Sequence, residues 1–272
     1  MDNDKETRMV GDTHTHTSFS ADCDTEPEAL VRAAVDAGLS SVTITDHYDF
    51  DVPYDDRAFD VDLDVYFDVL NGLRLKYRDK IKILTGLEVG QQPLGYVAKE
   101  SDLKIKDRPF DYIIGSTHFI GRVDPYFGEF YKGLSKQEAY DRLLCEILDN
   151  ISCGYDFDSI GHFDYVTRYG PYADKTMYYR DHSDLFDEIF KYLIREDKAL
   201  EINTKSGTRV PGDPDILKRY RELGGFLITL GSDAHKPELV GLAFDRFTEL
   251  LKSLGFKYCF RFENRKAVAE TL

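Results

Sequence analysis

Three things are scarce in this chain, and each scarcity removes a class of protein. Cysteine occurs only at Cys23, Cys145, Cys153 and Cys259, with no CxxC pair. A disulfide scaffold is therefore not expected, and the four thiols read as packing residues of a reducing compartment. No uninterrupted apolar run approaches the ~20 residues that a bilayer span needs, which excludes a membrane helix. Basic residues number 35 against 50 acidic ones, for a formal charge of −15, and they form no stripe. Broad capture of a long nucleic acid, which needs Lys and Arg to displace counterions, is not expected. The opening residues, MDNDKETRMVGD, lack the basic and apolar regions of a secretion signal. A cytoplasmic protein is the expectation. Linkers, internal repeats and low-complexity tracts are also missing, and 272 residues with 42% apolar content suit one large α/β domain over 1–272.

What the chain has is alternation. Short β-rich runs at Met9–His14, Ser41–Thr45, Ile81–Val89, Phe110–His118, Asp158–His162, Ala199–Thr204, Phe226–Gly231 and Lys257–Phe262 predict strands, several apolar enough for a sheet buried on both faces. Helical spacing falls between them, at Pro27–Ala37, Asp60–Asp79, Ser135–Asn150, Ser183–Asp197, Pro214–Leu223 and Leu242–Leu254. The first of these helices carries a Thr25…Glu28 capping-box pattern and a stop at Gly38. Three connections, Tyr48–Phe59, Phe119–Leu134 and Phe163–His182, are longer than tight turns, as functional covers or disordered inserts are, and the last is aromatic enough to wall a pocket.

Six of the seven histidines sit where these strands end, in DTHTHTSFSAD, TDH, GSTH, GHFD and GSDAH, and Glu88 ends another strand in GLEVG. His14 and His16, two apart on a strand end, leave the same face and can grip one cation. Ligands on so many strands meet only if the parallel strands close into a barrel, whose C-terminal face then carries the chemistry. An open sheet would gather them around one switch point instead. Imidazole mixed with carboxylate suits zinc, manganese or iron better than calcium or magnesium. Eight or nine ligands exceed what one ion needs, so two or three ions are expected, with Glu88 and a hydroxide bridging them. The seventh histidine, His182, precedes a helix beside charged residues and reads as a solvated surface group.

The ordered set DTHTHTSFSAD, TDH, GLEVG, GSTH, GHFD and GSDAH resembles the metal motifs of the PHP (polymerase and histidinol phosphatase) superfamily from Asp12 to His235. Length and loop pattern look most like its monofunctional histidinol-phosphate phosphatase branch. The resemblance implies a distorted (β/α)7 TIM-like barrel with a trinuclear site, so the eighth strand run must be misplaced or lie outside closure. It assigns His14, His16, Glu88 and Asp233 to one ion, Glu88, His118 and His162 to a second, and Asp22, His47 and His235 to a third, with Asp24 close enough to compete with Asp22. It further implies hydrolysis of L-histidinol phosphate by a metal-bridging hydroxide. Arg168 and Arg209, both just beyond strand ends, would fork onto the phosphate, and Tyr126 is a further candidate there. The leaving alkoxide would be protonated by Asp233 or by a metal-bound water. The acidic stretch DFDVPYDDRAFDVDLD after His47 is a candidate source of partners for the substrate's cationic groups. Two other readings share these motifs: a phosphoesterase acting on a nucleotide or short oligonucleotide, and a metal-stabilised interaction module without catalysis.

Overall fold

A computed structural model describes residues 9–53, 59–206 and 212–272. Seven βα units follow one another along it. The strands are β1 (Asp12–Thr15), β2 (Ser41–Ile44), β3 (His47–Asp49), β4 (Lys82–Gly90), β5 (Tyr112–Ser116), β6 (Ser159–Ile160), β7 (Ala199–Asn203) and β8 (Ile228–Gly231), followed by β9 (Tyr258–Glu263) and β10 (Lys266–Thr271). The helices are α1 (Pro27–Asp36), α2 (Leu63–Tyr77), α3 (Gly95–Ile105), α4 (Lys136–Ser152), α5 (Val166–Tyr169), α6 (Ser183–Arg195), α7 (Pro214–Glu222) and α8 (Phe244–Ser253). Each longer helix owes its place to an apolar stripe: α6 buries Phe186, Ile189, Phe190 and Leu193, the 3.6-residue spacing that turns one face to the sheet.

The sheet runs β1-β2-β4-β5-β6-β7-β8, parallel throughout, with β3 pairing β4 beyond the end of β2. β2 and β3 are therefore one barrel stave broken at Thr45–Asp46. The Tyr66 hydroxyl fills the break, 2.6 Å from Ile44 O and 2.8 Å from Gly86 O. Closure comes from Thr15 bridging to Ala234, with Asp233 N donating to His14 O and His16 N to Ala234 O, each at 2.8 Å. Buried Asp12 locks the seam, accepting from Ser232 N at 2.9 Å, Ser232 Oγ at 2.5 Å and Gly241 N at 2.9 Å. The chain thus forms the expected distorted (β/α)7 barrel.

The eighth strand run is real but lies outside the barrel. Tyr258–Glu263 pairs antiparallel with Lys266–Thr271 in a hairpin across the N-terminal ends of the barrel strands. Phe262 stacks on Tyr112 at 5.0 Å inside the floor, Glu270 accepts from Gly11 N at 3.0 Å, and Arg265 Nε donates to Asp158 at 2.5 Å. Two local expectations also fail. No capping box forms at α1, because Thr25 Oγ1 donates instead to His235 O at 2.8 Å, although Gly38 does take the left-handed stop. A capping box does form at α4, between Ser135 and Glu138. His182 is not a solvated group: it is buried, and its Nδ1 meets Asp141 Oδ1 of α4 at 2.6 Å. Its neighbours in sequence are charged, but its neighbours in space are not solvent.

Candidate metal centre

The break at Thr45–Asp46 turns His47 toward the barrel axis, and β4 carries Glu88 to the same point. Glu88 is buried, and five imidazoles surround it. On Oε2 lie His14 Nε2 at 3.1 Å, His47 Nδ1 at 3.2 Å and His16 Nε2 at 3.3 Å; on Oε1 lie His162 Nε2 at 2.8 Å and His118 Nε2 at 3.1 Å. His14 Nε2 and His16 Nε2 are 3.0 Å apart, which places both rings on one face as their two-residue spacing predicts. Asp233 Oδ1 is 3.5 Å from His16 Nε2. Its φ of 53° lies in the left-handed region, which Asp tolerates better than most residues. Asp22 Oδ2 reaches His235 Nε2 at 3.3 Å and His47 Nε2 at 3.7 Å. Of the two neighbouring acids it is Asp22 that lines the cavity.

Opposite charge governs this cluster. Burial pushes the Glu88 carboxyl up, but the facing His14, His47 and His118 outweigh it and hold the group well below the usual range. Burial likewise works against a charged His14, yet Glu88, Glu201 and Asp233 leave it well above the ordinary imidazole value. His118 is raised in the same way by Asp49 and Glu88 against burial, whereas burial, helped by Arg168, lowers His162. The carboxylates thus demand positive charge that imidazole protons supply poorly. Divalent ions supply it better. Donor atoms around an ion with ~2.0–2.1 Å bonds stand about 3.3 Å apart in a tetrahedron, the range of the separations given above. Three groups, His14–His16–Asp233, His16–His47–His235 and His47–Glu88–His118, bring their donor atoms within 4.8 Å of one another. The residues fit divalent metal, with His47 at the junction of two groups.

Sequence reasoning misses the carboxylates that hold the histidines. Glu201, fully buried on β7, accepts from His14 Nδ1 at 2.5 Å and from His162 N at 2.6 Å. Asp49 Oδ1 meets His118 Nδ1 at 2.7 Å. Such contacts fix which imidazole nitrogen faces the ion. The signal available was small: a Cβ on Gly231 would lie 2.6 Å from Glu201 Oε1, and one on Gly90 only 1.8 Å from Asp49 Oδ1. Both glycines leave the room that an inward carboxylate takes. Asp46 shapes the HTHTSFS turn by accepting from Thr17 N, Thr17 Oγ1 and Ser20 Oγ at 2.6–2.7 Å. Cys23 is buried against His16 O and His235 O as a packing residue.

Above the cluster opens a cavity of about 430 Å³ lined by all three long connections. Arg168 reaches it from α5, with Nη1 donating to Asp233 Oδ2 and Nη2 to Asn203 Oδ1, both at 2.9 Å. Lys205 Nζ, a further cation at the rim, donates to Asp233 Oδ1 at 2.8 Å. Tyr126 stands at the mouth, 61% exposed. Arg209 lies outside the described residues, as do Asp55 and Asp56 of the acidic stretch. Asp51 of that stretch donates nothing to the cavity, being paired with Arg122 at 2.8 Å and with Tyr96.

The PHP domain family matches residues 12–205, more than half of the chain and the stretch that holds most of these ligands. The chain belongs to the PHP family. Within it, the chain is 37% identical over 95% of its length to the histidinol-phosphatase of Lactococcus lactis subsp. lactis, covering 98% of that protein. It is 35% identical over 94% of its length to a probable histidinol-phosphatase of Clostridium acetobutylicum, again covering 98%. The crystal structure of the L. lactis histidinol phosphate phosphatase, complexed with zinc, L-histidinol and phosphate, superposes with a TM-score of 0.88, covering 96% of this chain and 99% of that one. Among the described residues of this PHP protein, no helix is long and apolar enough to cross a membrane.

Proposed function

We propose that this PHP protein is a histidinol-phosphatase, hydrolysing L-histidinol phosphate to L-histidinol and phosphate in the cytoplasm as a step of histidine biosynthesis. The observation that carries the reading is Glu88, whose two oxygens face separate histidine sets beneath a cavity that also holds Arg168. Two or three divalent transition-metal ions, zinc among them, belong in this cluster. By the family pattern His14, His16, Glu88 and Asp233 would hold the first, Glu88, His118 and His162 the second, and Asp22, His47 and His235 the third. Bound there, the ions supply Lewis acidity toward the phosphate oxygens and make water a nucleophile at neutral pH.

The chain's own groups do the rest. Arg168 is fixed by Asp233 and Asn203 and backed by the Tyr165 ring at 5.5 Å, so its guanidinium meets a phosphate without losing further freedom. Arg209 is its partner on the phosphate by the family pattern, and Tyr126 closes the mouth over it. Burial raises the Asp233 carboxyl, but Lys205, His14 and Arg168 hold it well below the usual range. Asp233 therefore rests ionised, suited to facing cations, and a proton it takes up from the attacking water during turnover passes readily to the leaving oxygen of histidinol. The substrate is small, and among the described residues that line the cavity Arg168 and Lys205 are the only lysine or arginine side chains.

The deciding experiment is phosphate release from L-histidinol phosphate by zinc-loaded protein, with a chelated sample and a nucleotide monophosphate alongside. Rapid, chelator-sensitive release selective for L-histidinol phosphate is expected. Release from the nucleotide alone would overturn the substrate while keeping the site.

A further inference from the structure

The cavity is lined by five carboxylates: Asp22, Asp49, Glu88, Asp124 and Asp233. Four of them face imidazoles of the metal cluster. Asp124 does not. Among the described residues it makes no ion pair, and both of its hydrogen bonds fall on Oδ1, from Tyr126 N at 2.8 Å and from the Tyr165 hydroxyl at 3.3 Å. Oδ2 has no hydrogen-bond partner among the described residues.

The surroundings of Asp124 are aromatic. The Tyr165 ring lies 5.1 Å from His162 and 5.9 Å from His118, so the phenol spans from the metal cluster to Asp124. Tyr169 packs edge-on against Tyr165 at 5.4 Å, Tyr126 against Tyr169 at 5.3 Å, and Phe127 against Tyr126 at 5.1 Å. Tyr126 and Phe127 are 61% and 60% exposed, an unusual state for two adjacent aromatics unless something else covers them. An anion set in a wall of ring faces is a receptor for a cation: the carboxylate supplies charge and the rings supply their negative faces. Arg168, which would take the phosphate, leans on the same Tyr165 ring, so the anionic and cationic ends of one small molecule would lie on either side of a single phenol.

We infer that Asp124 is the specificity residue of the cavity, receiving the positively charged amino group of an amino-alcohol phosphate while Tyr169 and Phe127 flank its ring-bearing end. The inference rests on the proposed phosphatase function and names which part of the substrate is read, and by what. The acidic stretch after His47 is not needed for it.

Asp124→Asn tests it cleanly. The amide oxygen still accepts from Tyr126 N and Tyr165, so the turn at 124–127 persists and only the charge goes. For zinc-loaded enzyme, kcat/KM for L-histidinol phosphate should fall about tenfold to a hundredfold, the effect of one charge-assisted hydrogen bond, chiefly through KM. Turnover of p-nitrophenyl phosphate, which carries no cation, should be unchanged. Equal losses on both substrates would reduce Asp124 to a structural role, and no loss on either would leave the cation unread by it; each result overturns the inference. Failure of the underlying function shows elsewhere, in wild-type protein that hydrolyses p-nitrophenyl phosphate but not L-histidinol phosphate, and that outcome removes this inference with it.

Discussion

Glu201→Gln isolates the support beneath the metal cluster. Three donors converge on this fully buried carboxylate: His14 Nδ1 on one oxygen at 2.5 Å, and His162 N at 2.6 Å and Asn203 Nδ2 at 3.3 Å on the other. Glutamine keeps the shape but offers one acceptor oxygen, so one donor must face an NH2 group. A buried donor left unmade costs about 1–3 kcal/mol. In a domain of this size that lowers the melting temperature by about 2–4 °C per kcal/mol. The second effect falls on the ions. Glu201 keeps the His14 proton on Nδ1 and so leaves Nε2 free to ligate, and losing such a support typically weakens metal binding about 10–100-fold. Calorimetric melting of metal-free protein reads the first effect, and zinc affinity by chelator competition reads the second. Both should move, because one side chain serves backbone and ligand at once. A variant that melts with wild type and holds zinc within about twofold of it would refute the argument that Glu201 orients His14.

Three further outcomes follow from the geometry. His118→Ala should abolish most turnover and reduce bound metal measured by elemental analysis, since the ring touches both Glu88 and Asp49. Arg168→Ala should instead keep its metal and lose about tenfold to a hundredfold in kcat/KM for each phosphate hydrogen bond removed; unchanged steady-state kinetics would remove Arg168 from the site. Phe262→Ala, far from the chemistry, should cost about 3–5 kcal/mol in urea unfolding, as buried Phe truncations do, while the folded fraction keeps wild-type turnover.

The seven barrel strands were legible because parallel strands covered on both faces leave continuous apolar runs, and the clustering of the candidate ligands was legible because they end those runs. Other features had no such mark. The hairpin partner Lys266–Thr271 escapes notice because its two-residue turn is Asn264–Arg265, both at positive φ (49° and 61°), where Gly would have announced it. α3 begins at Leu94 without a side-chain cap, so nothing in the sequence signals its start. Glu201 inside ALEIN was the strongest unused clue: a charge in the middle of an apolar strand must have a buried partner, and here it has three, His14, His162 and Asn203. His182 shows the opposite failure, since its partner Asp141 comes from a helix forty residues earlier and no local pattern reveals it.

The hairpin beneath the barrel also orders events in time. Its Glu270 bonds Gly11 and its Arg265 bonds Asp158, the first of these contacts bridging 259 positions. As the chain leaves the ribosome, β1 and its histidines emerge first and wait for their floor until Glu270 has been made. Contacts of that separation are slow to find, and until β8 has been made and closes against it, the first strand also offers an open edge to other nascent chains. A barrel whose chemistry opens at one mouth is thus finished at the other, and the earliest-made metal ligands are among the last to be secured.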